Sequence, residues 1–334
     1  MSDGVIRFDK LTTHFRVKTI KELFTRVRSG AGLKVRAVTD LSFEVRRGEI
    51  MGFLGPNGAG KSTTIRTLMG LIHATSGSAT MLGETVPARH ARERVGFLPE
   101  SPYFYDFLTA VELCDLCGRL FNIDAATRRK RAADLLDRVG LAGARTRRLR
   151  TYSKGMLQRA GLAQALMNDP EVVILDEPMS GLDPIGRKEV RDLIVSLRDA
   201  GKTVFFSTHI LSDLELICDR VAIIVGGKLR DVGPLSRLLS PKITHTEVVL
   251  RARSGDARLA DAAGWCATPG ARVRVVEDEA FVTLPEGADV DAYLAAALEQ
   301  RTTITSVTPR KQSLEELFVR EVEQSGVAGA GDRA

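Results

Sequence analysis

Gly55-Pro56-Asn57-Gly58-Ala59-Gly60-Lys61-Ser62-Thr63 fits the pattern G-x-x-x-x-G-K-[ST], a loop that wraps nucleoside phosphates. Gly55, Gly58 and Gly60 allow the backbone N–H groups to come close to an anion. Lys61 is placed to reach β/γ oxygens, and the Ser62 hydroxyl to hold Mg²⁺. Thr63 to Met69 reads as a helix whose N-terminus points at the anion. Glu49 to Leu54 is a short apolar run, as a buried strand should be. A chance glycine-rich turn would lack this setting of strand before and helix after.

More chemistry lies downstream. The apolar run Val172-Val173-Ile174-Leu175 ends in Asp176-Glu177. An aspartate at such a strand end can hold Mg²⁺ together with Ser62, and Glu177 is placed to polarise an attacking water. Ser180-Gly181-Leu182-Asp183 follows as a turn whose aspartate can bridge to another subunit. A second apolar run, Thr203-Val204-Phe205-Phe206, leads to Ser207-Thr208-His209. A lone histidine is commonly structural. At the same edge of the same predicted sheet, His209 is read as a γ-phosphate contact. Upstream, Ser153 in Tyr152-Ser153-Lys154-Gly155-Met156-Leu157-Gln158-Arg159 opens a helix with a hydroxyl ready for an anion.

The elements that must position these groups read as an α/β chain. All-apolar strands imply a parallel sheet buried on both faces. Val5 to Phe8 and Leu11 to Phe15 form an entry strand, and Val38 to Val45 another. Gly70 to Gly83 is turn-rich, and Val95 to Leu98 is a strand. Thr109-Ala110-Val111-Glu112 fits a capping box, and from there to Asn168 the pattern is mostly helical. Val221 to Val225, Gly226-Gly227 and Lys228 to Arg230 read as a hairpin. After Pro234 the order becomes β-α-β-β-α-β, a ferredoxin-like pattern, with its helices at Ala257–Ala263 and Val290–Leu298. Ser313-Leu314-Glu315-Glu316 caps a last helix, and Gln324 to Ala334 reads as a disordered tail.

With 334 residues, 44% of them hydrophobic, the chain can hold one large domain and one small one. It contains no signal-peptide pattern and no apolar run near the ~20 residues a bilayer requires. Cys114, Cys117, Cys218 and Cys266 are too scattered for a disulfide framework, which points to a reducing cytoplasm. The C-x-x-C of Cys114 and Cys117 lies on one helix face and reads as two core residues rather than a redox or zinc pair. Net charge is +6, and the window Arg16 to Arg36 alone carries as much: seven basic residues against Glu22. In that window Ile20, Leu23, Phe24 and Val27 form a helical stripe, giving a basic amphipathic segment suited to an anionic membrane surface. A solvated loop packed on the protein's own sheet is the plainer reading.

Taken together, the motifs resemble the ATP-binding subunit of ABC transporters, from about Val5 to about Gly233. Gly55–Thr63 matches Walker A, Tyr152–Met156 resembles the LSGGQ signature, and Val173–Pro178 matches Walker B. Ser180–Asp183 looks like the D-loop, and His209 like the switch histidine. The resemblance implies a head-to-tail dimer with two ATPs, each between one chain's P-loop and the other's signature. Ser153 and Gly155 would then meet the γ-phosphate of the opposite chain, and Phe15 would stack on adenine. Three features depart from the pattern. Lys154 and Met156 replace the commoner Gly and Gln, Glu100 stands at the Q-loop glutamine, and the segment 16–35 is extra. The Leu-Pro-Glu and Ser-Lys-Gly-Met forms, like the C-terminal piece, resemble prokaryotic exporter ATPases that serve drugs, polysaccharides or lipids.

The resulting expectation is an ABC ATPase domain over residues 1–238, with a helical subdomain over about 101–165 and the insertion at 16–35. An accessory domain follows over 239–323, then a tail over 324–334. Glu177, His209 and Lys61 would be catalytic. Pro56, Asn57 and Ala59 would join the glycines, Lys61, Ser62 and Thr63 around ATP, and Ser62, Asp176 and Glu100 would hold Mg²⁺. The expected partners are a separate permease and a second copy or homologous ATPase subunit, at the inner face of the cell membrane. Tyr103, Phe104 and Tyr105 are read as meeting a permease helix, against packing on the helical subdomain. The rival reading is a soluble ABC-type ATPase on ribosomes or nucleic acid. The single ATPase unit and the lack of a long heptad insertion argue against it.

Overall fold

A computed structural model describes residues 4–17, 33–238, 243–252, 259–265 and 269–311. The stripe from Ile20 to Val27, Cys266, the helix expected at Ser313 and the C-terminal tail lie outside the described residues. The chain divides into two compact units, one running to Leu235 and one starting at Ser236.

In chain order the first unit contains β1 (Gly4–Val17), β2 (Leu33–Arg46), β3 (Ile50–Leu54), α1 (Lys61–Leu68), β4 (Ser76–Met81) and β5 (Glu84–Thr85). Then come α2 (Arg89–Glu93), β6 (Val95–Leu98), α3 (Ala110–Leu120), α4 (Ala125–Arg138), α5 (Lys154–Ala165) and β7 (Val172–Asp176). It ends with α6 (Pro184–Asp199), β8 (Thr203–Thr208), α7 (Leu211–Ile217), β9 (Arg220–Val225) and β10 (Lys228–Pro234), before the short α8 (Leu235–Leu238).

The runs of β3, β7 and β8 have no polar face, so they need cover on both sides, and each is buried along its whole length. They lie within a six-stranded sheet of order β10-β9-β3-β8-β7-β6. Every neighbouring pair is parallel except the β9–β10 hairpin. Register sets where the loops leave. Leu54 faces Thr208 and Asp176 faces Ser207, so the loops after β3, β7 and β8 emerge side by side at one sheet edge. In parallel α/β sheets that edge is where ligands bind.

A second sheet, β2-β1-β4-β5, is antiparallel throughout. Phe8 and Phe43 from this sheet pack with Phe53 and Phe205 from the parallel one, with ring centroids 4.6 to 6.3 Å apart. This aromatic cluster holds the P-loop strand from one side. From the other, α7 approaches β3 so closely that a Cβ on Gly52 would lie 2.2 Å from Leu214 Cδ2. Thr109 caps α3 through the reciprocal box with Glu112 that its sequence implies.

The second unit contains β11 (Ile243–Ala252), β12 (Arg272–Val276), β13 (Glu279–Pro285), α9 (Val290–Glu299) and β14 (Thr302–Lys311). Its sheet is antiparallel, of order β12-β13-β11-β14. The helix expected at Ala257–Ala263 appears instead as a 3₁₀ segment, Leu259–Gly264. Leu259 and Ala262 still reach the core there, beside Tyr293 of α9, whose hydroxyl donates to the Ala262 carbonyl at 2.8 Å.

Candidate functional site

The loop after β3 wraps a cavity of about 290 Å³ lined by Pro56 to Thr63, Val35, Arg36, Ala37, Glu100 and Glu177. Backbone geometry explains its glycines. A Cβ on Gly55 would lie 2.5 Å from the Ile224 carbonyl oxygen. Gly60 has φ +106°, and a Cβ there would lie 2.5 Å from the Ala37 carbonyl oxygen. At that position side chains meet both backbone strain and a clash. The turn delivers Lys61 as the first residue of α1, at the positive end of the helix.

Lys61 is buried, and its Nζ curls back on the loop to donate to the Gly55 and Pro56 carbonyls at 2.6 and 3.3 Å. It also lies 3.1 Å from Glu177 Oε1. The other carboxylate oxygen, Glu177 Oε2, lies 2.9 Å from His209 Nδ1. Thus Lys61 after β3, Glu177 after β7 and His209 after β8 form one chain of contacts, as three adjacent strand ends permit. Glu177 is buried whereas the His209 ring is 42% exposed, so the chain runs from the interior to the surface.

Asp176 lies behind this chain and is 1% exposed. Burial pushes its carboxyl above the ordinary aspartate range. Hydrogen bonds from Ser207 and Ser62 counter this, while the charges of Glu100 and Glu177 add to it. A carboxylate disfavoured by burial and by two neighbouring carboxylates is suited to a cation. Among the described residues no cluster of three or more acidic, histidine or cysteine ligands is preformed. The oxygen donors of Ser62, Asp176 and Glu100 fit a hard divalent ion that keeps waters and phosphate oxygens as its remaining ligands.

Other expected residues stand apart. Phe15 is half-buried in β1, does not line the cavity, and pairs by register with Val35, which does. Ser153 is exposed and caps α5, its hydroxyl accepting from Met156 N at 3.2 Å. Gly155 faces Leu182, which a Cβ there would approach to 3.0 Å. Neither Ser153 nor Gly155 lines the cavity. Asp183 caps its own helix, accepting from Gly186 N at 2.9 Å. The three consecutive aromatics divide. Tyr103 is 99% exposed and Tyr105 is exposed, while half-buried Phe104 packs near Gly161 of α5.

Two groups were not singled out by sequence. The Ser207 hydroxyl donates to Asp176 Oδ1 at 2.6 Å and accepts from Glu177 N at 3.0 Å. Gln158 Nε2, on α5, donates to the Glu177 carbonyl at 3.4 Å. The signal for Ser207 was its place one strand over from Asp176, visible only once β7 and β8 are put in register.

The family model described as ABC transporter matches residues 38–180. An ABC transporter ATP-binding protein of Synechocystis sp. is 45% identical over 296 residues, covering 88% of this chain and 80% of its own. The Nod factor export ATP-binding protein I of Ralstonia nicotianae is 38% identical over 226 residues, covering 66% and 70%. Among solved structures, the ATP binding subunit of an ABC transporter aligns with a TM-score of 0.59 at 27% identity, over 70% of this chain and 91% of that one.

Proposed function

The chain belongs to the ABC transporter family as an ATP-binding and ATP-hydrolysing subunit, and from that premise we propose that it powers export of a drug, lipid or polysaccharide through a separate permease. The observation that carries the mechanism is the contact chain Lys61–Glu177–His209. The relative named for Nod factor export supports the direction of transport. Among the described residues no helix is long and apolar enough to cross a membrane, and the proposal assigns the translocation path to another chain.

ATP would lay its phosphates over the N–H groups of the Gly58–Ser62 turn and the start of α1. The γ-phosphate then competes with Glu177 and the Gly55 and Pro56 carbonyls for Lys61 Nζ. Losing Lys61 frees Glu177 Oε1 to take a proton from an attacking water, while Oε2 stays with His209. Lys61 and His209 stabilise charge on the phosphoryl oxygens during in-line attack. Ser62, Asp176 and Glu100 would hold Mg²⁺, which would supply positive charge to offset that of the phosphates. Phe15, beside cavity-lining Val35, is the proposed adenine contact. Ser153 and Gly155 of a second copy, or of a homologous subunit, would close over the γ-phosphate.

ABC ATPase subunits dimerise and work with separate permeases. The finer proposal places this chain at the inner face of the cell membrane, with Tyr103 and Tyr105 against the permease and, of the expected 16–35 insertion, the stretch 18–32 near anionic lipid, since residues 16–17 and 33–35 are paired in β1 and β2. The test is affinity purification from detergent-solubilised membranes, followed by reconstitution with whatever membrane protein co-purifies. A stoichiometric membrane partner that stimulates ATP hydrolysis and moves substrate is the expected result. Retention on nucleic acid alone, with steep salt dependence, would favour the rival and overturn the exporter reading. Flotation with anionic and neutral liposomes tests the lipid contact: equal binding, or binding unchanged in Lys21→Glu/Arg26→Glu/Arg28→Glu, would remove it.

A further inference from the structure

Ser207 is fully buried near the end of β8, facing Asp176 across the sheet. Its hydroxyl has a single proton. That proton goes to Asp176 Oδ1, 2.6 Å away, so the lone pairs of Oγ are what face the Glu177 N–H at 3.0 Å. The Ser207 carbonyl oxygen shares the same N–H, at 3.2 Å. One residue therefore touches both neighbouring acids, the first through its side chain and the second through its backbone.

The second contact has a visible consequence. Glu177 has φ +52°, in the left-handed region that non-glycine residues seldom adopt. Such a conformation persists only where the surroundings impose it, and it is concentrated at functional sites. Here the Glu177 N–H is held by Ser207 and its carbonyl by Gln158. This left-handed residue follows directly on the last residue of β7, and its carboxylate lies against Lys61 and His209.

We infer that Ser207 is a positioning residue for the ATPase reaction: its hydroxyl fixes the Asp176 carboxylate for the metal and, through the same oxygen, the backbone of Glu177 for the water. This rests on the reading above of Asp176 as a metal holder and Glu177 as the base. A serine that merely fills a buried polar site would give the same contacts but a different response to mutation.

The test measures binding of a fluorescent ATP analogue to the full chain, with excess chelator and across a Mg²⁺ titration. Melting temperature, kcat and KM are recorded for wild type, Ser207→Ala and Ser207→Thr. Ser207→Ala is expected to bind nucleotide without metal within about twofold of wild type. It should need about tenfold more Mg²⁺ for half-saturation, the usual scale for losing a partner of a metal ligand. Its kcat should fall about tenfold with KM for ATP little changed, and Ser207→Thr should recover most of both losses. Wild-type Mg²⁺ dependence in Ser207→Ala would overturn the inference. So would an equal loss of metal-free binding and melting temperature, which marks a packing role, or a Thr variant that melts like wild type yet recovers nothing. A wild-type chain indifferent to Mg²⁺ would instead overturn the metal reading itself, which separates the two failures.

Discussion

The edge of the parallel sheet and the N-terminus of α5 both carry residues matched to nucleotide chemistry, but their states differ. At the sheet edge Lys61, Asp176, Glu177 and Ser207 are buried and bonded to one another. At α5, Ser153 and Lys154 are exposed, and the Ser153 hydroxyl caps its own helix. Buried polar groups must satisfy each other, and doing so fixes their geometry before ligand arrives. An exposed helix N-terminus leaves donors pointing outward, available to an anion held elsewhere. One half of the site is thus assembled inside the chain, and in the proposed dimer the other would be presented to a second subunit.

Loss of turnover without loss of binding would sharpen this contrast most. Glu177→Gln keeps the shape of the side chain but removes its charge and basicity. Hydrolysis by the purified chain should fall by at least ~10²-fold while ATP still binds and an ATP-bound dimer accumulates. Because the lost charge also faces Lys61 at 3.1 Å, the lysine is freer to meet phosphate, so affinity should hold or rise. Near-wild-type hydrolysis would take Glu177 out of the mechanism.

Lys61→Ala acts on the same contact from the other end. A hydrogen bond to a charged group contributes about 1.5–3 kcal/mol, so nucleotide should bind on the order of ten- to a hundredfold more weakly by equilibrium titration. It also leaves Glu177 Oε1 buried without its cation. Unchanged affinity would mean that the curled lysine does not open toward the ligand.

Ser153→Ala tests the outward half. It should leave nucleotide affinity of the isolated chain within about twofold, because Ser153 does not line the cavity. Turnover under dimerising conditions should fall about tenfold, and helix capping should lose about 1 kcal/mol. A drop in affinity of the isolated chain would break the comparison, since the signature would then act within its own chain.

The sequence made the loops legible because each motif is contiguous and its chemistry local: Gly55 to Thr63 needs no distant partner to be recognised. The apolar runs Val172–Leu175 and Val204–Phe206 also announced a buried parallel sheet. Ser76–Met81 did not show as a strand, because Ser-Gly-Ser-Ala has little apolar alternation and β4 is held by its pairing with β1. Ser207 and Gln158 escaped because their partners lie 31 and 19 residues away: the register of β7 and β8 brings Ser207 to Asp176, and the placement of α5 brings Gln158 to the Glu177 carbonyl. Phe104 faces inward through packing on α5, which residue type alone could not distinguish from Tyr103 beside it.

The smallest effect is expected at the C-x-x-C of α3, in the same helical region as the signature. Cys114 is buried and Cys117 half-buried. Burial pushes their thiols up from 9.0, to about 12 for Cys114 with help from Cys117, and to about 11 for Cys117. Reactive or metal-binding cysteines show the opposite shift. The double variant Cys114→Ala/Cys117→Ala should therefore hydrolyse ATP within about twofold of wild type. Stability supplies the sign. In the unfolded chain these thiols ionise near pH 9, while in the folded chain they stay neutral until about 11 and 12. Their contribution is complete below pH 9 and is lost as pH rises through the folded values, at up to ~1.4 kcal/mol per pH unit for each thiol. The double variant loses packing at every pH but has no thiol to ionise. Its melting temperature should lie below wild type at pH 8, and the gap should narrow by pH 10. A gap that widens with pH would mean a thiolate stabilised inside α3, and the pair would then belong with the chemistry of the sheet edge rather than with the core.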